Sequence, residues 1–284
     1  MHFCSLVLAC WLSMPLNASA QELGPSIDFP DTMTPNSISC GSTNRGALSD
    51  SSQMPIQGLG FVMAEPWRSR GTRYGTRELV SLVQRASGQV AELYPGSQLS
   101  VADMSKEQGG PIASHRSHQS GRDVDLIYYA MDSSGAPFFP DSHMAYYTET
   151  GEATFARAPK RVDNIPKRYF DLKRNWALVR ALVFDTETRV QHIFVSRRVK
   201  RWLIHYATEL GEPREIVAWA DKVLHFPKES RGHNDHMHVR IGCSTDDLNS
   251  GQCRRTSAPK PRRGKWNQII QCPRPAEALV LPRR

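Results

Sequence analysis

Five of the chain's ten histidines fall in two short windows. The first reads Ser114-His115-Arg116-Ser117-His118-Gln119-Ser120-Gly121-Arg122-Asp123-Val124-Asp125, and the second Gly232-His233-Asn234-Asp235-His236-Met237-His238-Val239-Arg240. Each window carries a glycine-bearing loop and runs into a β-rich stretch. Polar side chains at this density do not belong in an apolar core, so any fold must seat both windows where imidazoles find partners. On a strand, side chains alternate between faces, so His236 and His238 point the same way, about 7 Å apart. His118 and Asp125 are joined by a loop that Gly121 allows to turn tightly, and Asp125 opens its strand. Two imidazoles and one carboxylate give zinc three protein ligands and leave a position open for water, the catalytic rather than the structural pattern. Either pair alone is equally well read as satisfied core or surface histidines; together they favour a metal. Asp123 shares a strand face with Asp125, and its two readings are a carboxylate that orients a ligand histidine and an ordinary loop cap.

The sequence carries no HExxH helix and no GxSxG elbow, and none of Cys40, Cys243, Cys253 and Cys272 lies beside a plausible base. Serine, thiol and helix-borne glutamate mechanisms therefore have no support.

Around the two windows, helical and strand patterns mix. Leu79, Leu82, Val83, Ala86, Val90 and Leu93 recur at helical spacing, with Thr76 as cap and Pro95-Gly96 as stop, which predicts a helix over 76–94. Further helices are expected over 175–184, 197–210 (ended by Gly211) and 213–225 (with Pro213 in the first turn). Short strands are expected over 99–104, 124–129, 191–195 and 237–241. Residues 21–58 read as an extended lead-in, residues 131–168 as a long surface insertion, and the chain after Cys243 as loop. Without strict βαβ alternation, the fold class is α+β, with a small, mostly antiparallel sheet and flanking helices.

Residues 1–20 read as a signal peptide, with an apolar Leu6–Leu12 core and Ala18-Ser19-Ala20 as the cleavage site, so the mature chain starts at Gln21. The expected organisation is signal peptide 1–20, a catalytic domain with its lead-in over 21–253, and a Pro-rich basic tail over 254–284. No integral membrane segment remains after cleavage. Cys40, Cys243, Cys253 and Cys272 are then the exported cysteines, and four allow three pairings. The favoured pair of bridges is Cys243–Cys253, closing a short loop, and Cys40–Cys272, tying the tail back. The formal charge of +8 is concentrated in the tail. Interleaved prolines there argue against a groove-reading helix, and no nucleic-acid partner is expected.

The two windows, Ser-His-x-x-His-Gln-x-Gly-x-Asp-Val-Asp and Asp-His-Met-His-Val-Arg, resemble those of the penicillin-insensitive murein endopeptidases. That family sits in a wider group with D-Ala-D-Ala carboxypeptidases, lysostaphin-type peptidases and the hedgehog amino-terminal domain. The resemblance covers about residues 35–275. It implies a hedgehog/D-Ala-D-Ala-peptidase-like architecture and one zinc per chain, with room for a second. Carried over residue by residue, it implies zinc ligands at His118, Asp125 and His238, and His236 as the non-ligand histidine that acts as general base or oxyanion stabiliser. His115 and His233 match auxiliary histidines, the first of them beside a second-metal position in some members. The implied activity is periplasmic cleavage of the D-alanyl to diamino acid cross-links of peptidoglycan. Three rivals stand beside it: a D,D-carboxypeptidase or dipeptidase of the same group, with Arg73 or Arg116 gripping a terminal carboxylate; a non-catalytic, zinc-bearing cell-wall-binding module; and a polyanion binder acting through the tail.

Overall fold

The computed structural model describes residues 36–113, 115–139, 144–155, 167–226, 233–254 and 272. The proposed signal segment and the tail beyond Arg254, Cys272 excepted, lie outside the described residues. Among these residues the chain is α+β: five helices and several small sheets around one seven-stranded sheet. None of the described helices is long and apolar enough to cross a membrane.

The large sheet runs, edge to edge, Leu224–His225, Val190–Phe194, His236–Ile241, Asp123–Ile127, Leu99–Val101, Phe61–Val62 and Gln57–Gly58. Four of its six neighbouring pairs are antiparallel; the Leu224–His225 and Phe61–Val62 strands each join a neighbour in parallel. Both histidine windows therefore end at its centre. The alternation of the two central strands divides them cleanly. Val124, Leu126, Met237 and Val239 are fully buried in the core with Leu79 and Leu82 of α1 (Arg77–Leu93) and Leu178 and Leu182 of α2 (Leu172–Val183). Each such leucine or valine contributes about 1.5–3 kcal/mol when buried. The opposite face of the same strands carries Asp123, Asp125, His236, His238 and Arg240.

Helix α1 has the expected cap, Thr76, whose hydroxyl accepts from Leu79 N. Helix α2 begins one turn earlier than its apolar pattern, because Asp171 caps it by accepting from Arg174 N while Lys173 and Arg174 hide the first turn. Helix α3 (Arg197–Glu209) follows the Ser196 cap. Helix α4 (Arg214–Val223) has Pro213 at its cap rather than in its first turn, and Leu224–His225 leaves it as an edge strand.

Three expectations need correction. The lead-in is not merely extended: Ile38–Ser42 and Arg45–Ser49 form an antiparallel hairpin, with Cys40, Ala47 and Leu48 buried. Its Ser and Gly content hid two strands whose burial is against main chain rather than large side chains. The described parts of 131–168 carry short strands, and Tyr147 packs edge-on against Phe170 with ring centroids 5.2 Å apart. Two-residue strands are too short to leave a period in sequence. After Cys243 the chain forms α5 (Thr245–Asn249), capped by Ser244.

These additions hold the first histidine loop. Gln119 N donates to Thr43 O (3.0 Å), Ser39 Oγ to Ser120 O (2.8 Å), and the buried Arg122 donates Nε to Ser39 Oγ (3.0 Å). Ser39 N in turn donates to Asp247 in α5. Cys243 is bridged to Cys253, which closes the α5 segment onto the end of the His236–Ile241 strand; Gly41 of the hairpin bonds to Gln252 and Arg254 beside it, and Cys40 is bridged to Cys272.

Candidate metal centre

The register of the two central strands builds the site. His238 pairs with Asp125, Arg240 with Asp123 and His236 with Ile127. Asp125 sits at the middle of the cluster. Its Oδ1 lies 3.1 Å from His238 Nδ1, 3.3 Å from His118 Nε2 and 3.6 Å from His236 Nε2, and its Oδ2 lies 3.8 Å from His115 Nδ1. The ion-pair partners of Asp125 among the described residues are thus all histidines. Burial works against its charge, yet His118 and His236 hold its carboxyl well below the usual carboxylate range.

His118 reaches this point from a residue with φ of 65°, two residues before Ser120 and next to the turn at Gly121, whose φ is 75°. Its backbone N–H donates to Asp123 Oδ2 at 3.0 Å. Asp123 makes both of the contacts that its two readings in sequence call for. It caps the loop, and its Oδ1 lies 3.3 Å from His238 Nε2. Arg240 completes its partners with a two-point contact at 2.7 and 3.1 Å. Burial opposes a charge on His238, but Asp123 and then Asp125 raise its pKa to about 9. His118, wholly buried, is pushed down by desolvation.

His236 has a different setting. Its Nδ1 lies 2.8 Å from Asp235 Oδ1, so Asp235 turns Nε2 toward Asp125. Burial again opposes the charge, and Asp125 and Asp235 together raise the pKa above the ordinary imidazole value. His233 meets the rings of His236 and His238 edge-on, with centroids 5.1 Å and 5.6 Å away; burial and these two neighbours press its pKa down to about 3. Its carbonyl accepts from Tyr128 Oη and Ser196 N, which pins the second window to the rest of the fold.

All seven residues singled out in sequence converge here: His115, His118, Asp123, Asp125, His233, His236 and His238. A donor group other than the expected trio is also present. One atom each from His115, His118 and Asp125 lie within 4.8 Å of one another, a group able to hold a metal. His238 touches the same carboxylate from the neighbouring strand. Both ring nitrogens of His118, Asp125 Oδ1 and His238 Nε2 are buried without a hydrogen bond, the close approaches above being out of alignment for one. Buried polar atoms are normally bonded, so an orphaned set of imidazole and carboxylate atoms fits a metal cation.

Sequence reasoning missed Asp103, Asp235 and Phe194. Asp103 lies at the end of an apolar strand pattern, where a lone carboxylate is no signal. Phe194, across from His238, is placed only by strand pairing. Of the cations considered for a terminal carboxylate, Arg73 donates to Met54 O at 3.2 Å, and Arg116 is exposed. Asp171 is used as the α2 cap and pairs with Arg174.

Comparison with known proteins adds a family. The sequence profile described as penicillin-insensitive murein endopeptidase matches residues 39–271. The penicillin-insensitive murein endopeptidase of Pectobacterium atrosepticum is 27% identical over 263 residues, covering 89% of this chain and 81% of that protein. Proteins of the same name from Escherichia coli and Shigella boydii are 27% identical over 229 residues, covering 80% of this chain and 73% of theirs.

Proposed function

Since the chain belongs to the penicillin-insensitive murein endopeptidase family, we propose that it is a zinc-dependent endopeptidase that hydrolyses the D-alanyl to diamino acid cross-links between peptidoglycan stem peptides in the periplasm. The proposal includes the hedgehog/D-Ala-D-Ala-peptidase-like architecture and an exported chain that starts at Gln21. The observation that carries it is Asp125 Oδ1 with three imidazoles within 3.6 Å.

In this reading His118, Asp125 and His238 hold the zinc, with His115 at its margin. Bound there, zinc supplies Lewis acidity toward the amide carbonyl and lowers the pKa of water from about 16 to about 7. Asp123 orients His238 and is itself kept ionised by Arg240. His236 does the proton transfers. Asp235 holds its Nδ1, leaving Nε2 free to take a proton as water adds to the carbonyl carbon. The resulting imidazolium faces the developing oxyanion. The same proton then passes from Nε2 to the amine nitrogen as the C–N bond breaks, which restores neutral His236. In this reading the site uses no serine nucleophile, and a β-lactam inhibits by acylating one; insensitivity to penicillin follows.

Cross-linked muropeptide dimers incubated with the purified protein test the reading. Release of monomers that stops with a chelator and returns with zinc is expected. Trimming of free pentapeptides with dimers left intact would favour the carboxypeptidase, and binding without cleavage the non-catalytic module.

A further inference from the structure

Asp103 is a buried carboxylate that the reaction above leaves unused. Its main chain holds Asp125: Asp125 N donates to Asp103 O at 2.9 Å, and Ala102 N donates to Asp125 O at 2.9 Å. Its side chain faces the other way. Oδ1 accepts from Thr72 Oγ1 at 2.6 Å, while Oδ2 meets Arg70 Nη1 at 2.6 Å and His115 Nε2 at 3.1 Å. The ion pair with the Arg70 guanidinium and the hydrogen bond from Thr72 are those of an ionised carboxylate.

An ionised carboxylate can only accept, so the proton in the contact with His115 is on Nε2. In the neutral ring the lone pair is then on Nδ1. That atom faces Asp125 Oδ2 at 3.8 Å, and His115 belongs to the donor group of His118 and Asp125. We propose that Asp103 is a positioning residue, anchored by Arg70 and Thr72, that fixes His115 in the Nε2–H tautomer so that Nδ1 becomes a further donor to the metal. This inference rests on the zinc reading above. A carboxylate behind a ligand imidazole fixes ring orientation and raises ligand basicity, and losing it typically weakens metal binding 10–100-fold. A purely structural Asp103 would act through the backbone instead, and its side chain would not discriminate between tautomers.

The test is zinc affinity, by competition with a chromophoric chelator, for the wild type, Asp103→Asn, His115→Ala and the double variant. Asparagine keeps the size but can put an amide donor against His115 Nε2. We expect Asp103→Asn to weaken zinc about 10–100-fold and to add nothing in the His115→Ala background. Unchanged affinity, or the same loss with His115 absent, overturns the inference while leaving the zinc reading intact. A wild type that binds no zinc overturns both. Should Asp103→Asn not fold, long-range proton–nitrogen spectra of the histidine-labelled wild type decide: a proton on His115 Nε2 with Nδ1 shifted by zinc is expected, and a proton on Nδ1 overturns it.

Discussion

His238 and Asp125 are direct partners on adjacent antiparallel strands, and His238 Nδ1 lies 3.1 Å from Asp125 Oδ1. A pair built this way is fixed by the sheet ladder rather than by loop conformation. The first histidine loop then has only to deliver His118 and His115 to an edge already in place. Rigid placement of this kind matters because a misplacement of about 1 Å can cost about 10²-fold in rate.

The first prediction separates the two strand histidines. His238→Ala, like His118→Ala and Asp125→Ala, is expected to lose bound zinc and activity together. His236→Ala is expected to keep zinc near the native level while the rate falls about 10²–10⁴-fold, the usual loss for a general acid–base group. Metal analysis beside turnover checks this. Zinc loss in His236→Ala equal to that of His238→Ala would make His236 a ligand.

A second prediction concerns the loop that carries His118. Gly109 has φ of 70°, and a Cβ there would stand 2.3 Å from Gln119 O and 2.8 Å from Leu48 N. Both contacts are backbone, so the neighbour cannot swing away. Gly109→Ala is expected to destabilise by about 1–3 kcal/mol through a forced positive φ alone, and to weaken zinc binding because Gln119 follows His118. Calorimetric unfolding and zinc titration check both; an unchanged melting temperature would show that the hairpin and the loop are not in contact.

A third prediction tests a clamp far from the site. Arg85 of α1 grips Asp185 through two nitrogens at 2.7 and 2.8 Å, with Glu187 at 2.8 Å. Burial opposes the charge on Asp185, but the Arg85 bond and the backbone N–H of Thr188 lower its pKa. A lowered folded-state pKa means the stability is present above the unfolded value of about 3.9 and is lost as pH falls through the folded one. Asp185→Asn is expected to cost about 1–3 kcal/mol at pH 7 and progressively less below pH 4. Denaturant midpoints at pH 7 and pH 3 give the comparison, and an equal loss at both would contradict the account.

A fourth concerns the bridge beyond the second window. Cys243–Cys253 lies just past Ile241. Cys243→Ser is expected to weaken zinc binding at temperatures where the fold is still intact. Thiol titration of the denatured, unreduced mature protein, starting at Gln21, is expected to find no free thiol; unchanged zinc affinity in the variant would sink the coupling.

Much of the site was legible because it sits on regular strands. Period-two alternation put His236 and His238 on one face; Asp125, expected to open its strand, sits instead in the middle of Asp123–Ile127, because the strand begins at Asp123. The α1 helix was legible from Thr76 and six apolar positions. The Ile38–Ser49 hairpin was not, because serines and glycines bury main chain without leaving an apolar pattern. The closeness of His115 to His118 and Asp125 was equally hidden. It depends on Asp103, whose reach to His115 exists only once the Leu99–Val101 strand is paired beside Asp123–Ile127.

The central claim is a metal-dependent, serine-independent cleavage of peptidoglycan cross-links. The most direct measurement is one experiment on the purified protein: zinc content, and the cleavage of isolated cross-linked muropeptide dimers with no addition, with a chelator, with chelator followed by zinc, and with penicillin. The account predicts about one zinc per chain or more, consistent with a three-ligand site, cleavage abolished by the chelator and restored by zinc, and no effect of penicillin. Cleavage that survives removal of the metal, or stoichiometric covalent labelling by penicillin with loss of activity, would contradict it.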